Sequence, residues 1–256
     1  MLACLCGCGS PTNDQGQLQL QLPKPLREIS GLTEMPDGSL LAVADEKAHI
    51  YRIDMQARLV EKLTKFGDPV KKGDFEGISL VDEHLYVVTS NGVLWRKELR
   101  ADAKDYSKFK TGIGKLCEVE GLTAWEPRQL LLVLCKQGRH PSTRGKLTIY
   151  GWSIAEQTLL PEPIIQLVYR DAGLPQLHPS GLSFSADRQR LFIVAAKEQS
   201  FIELNLDGSV ARGGRFPFPA THTQTEGVVI TAGNTLYLAD EGGKDRGRVT
   251  QYDPSF

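Results

Sequence analysis

Five short segments of this chain place an oxygen-bearing side chain directly before a glycine: 28–32 (EISGL), 74–78 (DFEGI), 118–122 (EVEGL), 178–182 (HPSGL) and 224–228 (QTEGV). The oxygen bearers are Ser30, Glu76, Glu120, Ser180 and Glu226. If these segments superpose around one axis, three carboxylates and two hydroxyls converge on a single ring. Carboxylates held together repel, which raises their pKa values unless a cation sits between them. Hard oxygen donors from several strands suit Ca²⁺ and, less well, Mg²⁺, and no His/Cys set points to zinc. Glu76, Glu120 and Glu226 are therefore candidate calcium ligands. Two other outcomes stay open: ion pairing with Lys136 or Lys197 together with backbone hydrogen bonds, or plain exposure to solvent.

Such convergence requires repeated elements. The glycines Gly31, Gly77, Gly121, Gly181 and Gly227 lie 46, 44, 60 and 46 residues apart. That spacing implies five copies of one unit, with an insertion in the third. Each motif is followed by turn-forming residues and an apolar run at 40–44, 85–89, 130–134, 191–195 and 236–240. Third strands are expected at 49–54, 93–98, 147–154, 201–206 and 248–252. Fourth strands are expected at 59–66, 106–113, 164–170 and 210–218. Four antiparallel strands in about 45 residues make one blade of a β-propeller. The last repeat lacks its fourth strand, while residues 17–22 (QLQLQL) alternate strictly before the first motif. Lending that strand to the final blade would close the ring and remove both open edges. The expectation is an all-β, five-bladed propeller closed by an N-terminal strand, rather than an open β-sandwich. Residues 1–16 lie outside it and 17–256 form one domain.

Composition excludes some functions. The 256 residues carry 30 Lys+Arg against 31 Asp+Glu, leaving no basic surplus for phosphate neutralisation, so no nucleic-acid partner is expected. No apolar run reaches the length of a membrane-spanning helix. The extra residues of the third repeat fall at 137–146, a polar loop, and at 169–179, a long approach to the fourth motif. Either is an ordinary surface loop or part of a rim.

The ends of the second strands should face the same mouth as the motif residues. This adds Asp45, Lys136, Lys197, Asp240 and Glu241 to Ser30 and Ser180 as candidate ligand-binding residues. Hairpin register places Asp240 opposite Glu226. His178 and His222 read as turn histidines without a nucleophile partner. Trp95, Trp125 and Trp152 fall on strands and read as core. No Gly-x-Ser-x-Gly elbow, phosphate loop or dinucleotide fingerprint is present. With a hairpin turning near 126–129, Cys135 faces Glu120, so a Cys117–Cys135 disulfide is not favoured and two small buried hydrophobes are expected.

The first ten residues, MLACLCGCGS, contain Cys4, Cys6 and Cys8. Residues 5–8 read as a shortened bacterial lipobox with Cys8 as the lipidated residue and 11–16 as a tether. A chance cysteine-rich start and a metal tract are the other readings.

The order Ser30-Gly, Glu76-Gly, Glu120-Gly, Ser180-Gly, Glu226-Gly resembles the blade order of the SdiA-regulated, or YjiK-like, family of bacterial five-bladed propellers, distantly similar to NHL-repeat proteins. The resemblance runs from about residue 26 to the carboxyl end. It implies a periplasmic, cell-envelope location, calcium at Glu76, Glu120 and Glu226, and no established catalysis. The Glu-Gly blade start also looks like the metal-binding strand of gluconolactonase- and paraoxonase-type propellers, and the fold is similar to that of phytase-like propellers. The expected function is a calcium-binding module for an unknown small molecule or envelope protein, working as a monomer and touching the membrane only through a lipid anchor. The alternative is a metal-dependent lactonase, esterase or phosphoesterase using the ion as a Lewis acid. An ion that only pins the blades together is a third reading.

Overall fold

A computed structural model describes residues 17–217 and 221–255. Among the described residues twenty strands form five four-stranded antiparallel sheets, and these are the five expected blades. Blade 1 comprises β2 (Ile29–Glu34), β3 (Leu40–Ala44), β4 (Lys47–Asp54) and β5 (Leu59–Lys65). Blade 2 is β6 (Phe75–Val81), β7 (His84–Thr89), β8 (Val93–Glu98) and β9 (Ser107–Lys110). Blade 3 is β10 (Cys117–Trp125), β11 (Leu130–Gly138), β12 (Lys146–Ser153) and β13 (Thr158–Val168). Blade 4 is β14 (Gly181–Phe184), β15 (Arg190–Ala195), β16 (Ser200–Asn205) and β17 (Val210–Arg215). Blade 5 is β18 (Thr225–Ile230), β19 (Leu236–Asp240) and β20 (Arg248–Tyr252), completed by β1 (Gln19–Gln21) from the other end of the described chain. Leu20 pairs with Val249 in that closing ladder, so no blade is left with an unfilled strand position.

Each blade buries both faces of its central strands, because a neighbouring sheet lies on either side. β3, for example, is buried at all five positions, a continuous apolar run rather than an alternating one. Five hydrophobic clusters result, one at each blade-to-blade junction. Trp95, Trp125 and Trp152 are all buried in these layers, as their strand positions imply. Outer strands such as β5 have only one blade-facing side and are largely exposed.

The five first strands stand side by side around the axis, β2 against β6, β6 against β10, β10 against β14, β14 against β18 and β18 back against β2. The motif glycines make that crowding possible. A Cβ on Gly77 would come within 2.7 Å of the Leu122 backbone nitrogen, and one on Gly181 within 2.5 Å of the Glu226 carbonyl oxygen. None of the five motif glycines takes a positive φ, so close approach alone explains them.

The residue before each glycine has a second structural role. In blades 1, 2, 3 and 5 the first hairpin slips by one residue at this point. Thr225 pairs with Asp240 and Gly227 with Ala239, leaving Glu226 between them as the extra residue. Ser30 and Glu76 occupy the same position, and Glu120 and Gly121 fall in the corresponding irregularity of blade 3. The motif is thus a β-bulge, a device that re-aims one side chain while the ladder continues on either side.

The bulge overturns two expectations. Val119, not Glu120, pairs with Cys135, which moves Cys135 onto the face that Cys117 shares with Val119. The two cysteines are joined in a disulfide, with Cα atoms 5.6 Å apart. The hairpin turn itself lies where expected, with Trp125 opposite Leu130. Asp240 likewise does not oppose Glu226; it opposes Thr225 and turns into the blade.

Candidate functional site: an acidic channel mouth

Ser30, Glu76 and Glu226 line the axial channel together with the motif glycines. The channel narrows to a cavity of about 10 Å³, room for roughly one water. Around this constriction the bulged carboxylates gather. Glu226 is buried and its Oε2 has no hydrogen-bond partner among the described residues; the buried Ser30 Oγ has none either. Glu120 is buried and accepts a hydrogen bond from Lys136 Nζ at 2.8 Å. Lys136 is itself the extra residue of a second slip, between Cys135 opposite Val119 and Gln137 opposite Glu118. The ladder irregularity therefore frees both members of this ion pair from regular pairing.

The electrostatics follow from the crowding. Burial pushes Glu226 up to about 8, and the charge of Glu120 adds to this while Lys136 opposes it. Burial and the neighbouring Glu120, Asp74 and Glu226 raise Glu76 strongly. Glu120 is also raised by burial, against the pull of Lys136. Glu241 is lifted to about 7 by burial and by the charges of Asp45, Glu28 and Glu120. Burial disfavours charge on Lys136, but Glu120, Glu226 and Glu76 outweigh it and hold the ammonium above its ordinary range. One lysine thus serves several acids.

The remaining candidates divide. Glu241 faces the mouth, with Gln224 Nε2 donating to its Oε2. Asp45 stands at the margin, its pKa raised by burial and by Glu28, while its Oδ1 accepts the Glu46 backbone N–H. Ser180 is buried and fully engaged: its hydroxyl donates to the Thr225 carbonyl at 2.7 Å and accepts from the Ala196 N–H at 3.1 Å. It clamps blade 4 to blade 5. Lys197 lines a different cavity, on the outer part of blade 4. Asp240 is completely buried; His222 Nδ1 lies 2.9 Å from its Oδ2 and Thr225 Oγ1 donates to its Oδ1 at 2.6 Å. His222 Nε2 in turn meets the Tyr252 hydroxyl at 2.6 Å. His222 is therefore a core histidine in a satisfied network, not a turn residue. Cys8 lies outside the described residues.

Sequence reasoning passed over an outer tier of acids. Glu28, Asp74 and Glu118 each stand three residues before a motif glycine and bear electrostatically on the mouth. The signal was present in the repeats, since every motif segment begins at this position. Among the described residues no group of three or more His, Cys, Asp or Glu side chains stands close enough to hold a metal ion by itself. At the channel, Glu226 Oε2 and Ser30 Oγ are buried without a protein partner among the described residues, and they are hard donors of the kind Ca²⁺ accepts alongside backbone carbonyls and water.

Residues 166–252 match the model of the SdiA-regulated family. The match and the five-bladed fold bear out the resemblance drawn from the blade motifs. No curated protein matches the chain. Among solved structures, the PQQ-bound aldose sugar dehydrogenase of Streptomyces coelicolor is similar at a TM-score of 0.55 and 12% identity, covering 92% of this chain and 98% of that one. A nidogen/laminin complex is similar at 0.54 and 18% identity, with coverages of 86% and 74%. Virginiamycin B lyase from Staphylococcus aureus is similar at 0.50 and 15% identity, with coverages of 94% and 72%. At such identities these likenesses speak to the propeller fold alone. No helix of the described residues is long and apolar enough to cross a membrane.

Proposed function

We propose that the propeller is a binding module whose acidic channel mouth takes a cation, and that calcium is the ion it holds. The observation that carries this reading is Glu226, a buried carboxylate with an unpartnered Oε2 in a cluster of acids that Lys136 alone cannot balance. Glu226, Glu76 and the Ser30 hydroxyl would hold the ion, with Glu120 kept in place by Lys136. The ion would supply the positive charge the cluster lacks, and a ligand or protein partner would then be received over the charged rim. A cell-envelope location fits the Cys117–Cys135 disulfide, a bond that persists in oxidising compartments.

Thermal unfolding of the full chain tests this, first in EGTA and then with stepwise Ca²⁺ or Mg²⁺. A ligand that binds only the native state stabilises it by about 2.7 kcal/mol at a hundred times its Kd. The expected result is a saturable rise with Ca²⁺, smaller with Mg²⁺, and lost in Glu226→Gln. No shift with either ion overturns the calcium assignment and leaves Lys136 as the cluster's own counter-charge.

A further inference from the structure

The extra residues of the third repeat build a wall. The segment 169–180, which follows β13, folds across to blade 4 and is pinned there by His178. His178 Nδ1 lies 2.8 Å from Glu198 Oε1, and its backbone N–H donates to Glu198 Oε2 at 3.0 Å. Tyr169 and Leu177 of the same segment are buried in the core between blades 3 and 4. Between this segment and the outer strands β16 and β17 lies a cavity of about 680 Å³, a size typical of small-molecule sites.

Its lining has two distinct parts. Leu174, Leu177, Phe201, Ile202 and Val210 supply an apolar wall. Val210 is one of the few large apolar side chains left exposed among the described residues. Gly213 and Gly214, paired with Ile202 and Phe201, keep the β17 side free of side-chain bulk. The two cations on the lining outnumber its one carboxylate. Lys197 and Arg215 are exposed on the rim, and no ion pair involves either among the described residues. Glu198, the carboxylate on this lining, has both oxygens taken by His178. Ser200 Oγ on the same wall is buried without a hydrogen-bond partner. An apolar trough with two cations at its edge, against one carboxylate whose oxygens are already engaged, favours a molecule with an apolar body and an anionic head.

We propose that this cavity binds a small amphipathic carboxylate, its chain against Leu174, Phe201 and Val210 and its head between Lys197 and Arg215. The site is separate from the channel mouth and does not depend on the cation there.

Titration calorimetry of the full chain with decanoate, decylamine and decanol tests the assignment. Decanoate should bind saturably, with decylamine at least about tenfold weaker. Lys197→Ala combined with Arg215→Ala should weaken decanoate about tenfold while leaving decanol unchanged. Val210→Trp, at an exposed position, should fill the trough and abolish binding of both while circular dichroism stays native. Three outcomes would overturn the proposal: no saturable decanoate binding to the native chain, equal affinity for decanoate and decylamine, or undiminished binding in a folded Val210→Trp variant.

Discussion

Blade 5 carries two buried acids whose fates differ. Asp240 sits at the end of β19 and Glu226 in the bulge of β18, within one hairpin of each other. Asp240 has partners on every side: His222, Thr225 and, at 3.6 Å, Arg248. His222 passes the chain of contacts on to Tyr252 of β20. The network ties the segment before β18 to β19 and β20. Glu226 keeps an oxygen with no partner and is pushed up to about 8. A satisfied buried cluster specifies and rigidifies; an unsatisfied one is destabilising unless something from outside completes it. The first is a latch; the second is where the proposed cation would sit.

Breaking the latch should have the largest effect. His222→Ala removes the group on which both Asp240 and the Tyr252 hydroxyl rest, leaving buried polar atoms uncompensated. A loss of about 3–5 kcal/mol in urea unfolding is expected. A loss well under 1 kcal/mol would show that Asp240 is held adequately without His222. Lys136→Met acts on the mouth from the opposite side, stranding Glu120. Lys136 is partly exposed, so the expected cost is smaller, about 1–3 kcal/mol. It should also change the Ca²⁺ response, because the lysine and the ion would neutralise the same acids.

The pH dependence separates the two clusters further. Glu226 and Glu241 have folded pKa values of about 8 and about 7, above the ordinary 4.5. Below about 4.5 these groups are protonated in both states and contribute no difference. Between 4.5 and about 8 the unfolded chain gives up protons that the folded mouth retains, so stability without added cation should fall as pH rises. A melting temperature in EGTA that climbs from pH 5 to pH 8 would contradict this. Saturating Ca²⁺ should flatten the slope, since an ion favours the charged form. The smallest effect is expected from Glu226→Gln in EGTA near pH 8. Removing an uncompensated buried charge should stabilise slightly, by about 1 kcal/mol, whereas any Asp240 substitution should destabilise.

Repetition made much of this protein readable without coordinates. The recurring oxygen-glycine pair, its near-equal spacing and the spare alternating strand determined the number of blades, the strands in each and the closure of the ring. These features are legible because each blade must satisfy the same local demands: alternation or apolar runs for strands, turn formers between them, and glycine where first strands crowd. Tertiary structure alone decided the facing of residues next to the motif. A bulge adds one residue to one strand, leaves hardly any trace in composition, and reverses the face of everything beyond it. Such slips in blades 3 and 5 joined Cys117 to Cys135, turned Asp240 inward to His222 and left Glu226 facing the axis. Lys197 parts from Lys136 because the first hairpin of blade 4 shows no slip like the one that frees Lys136, and segment 169–180, whose path depends on packing between blades, lines the cavity that Lys197 faces. Period and propensity are local properties, while register and the path of an insertion are settled by which surfaces meet.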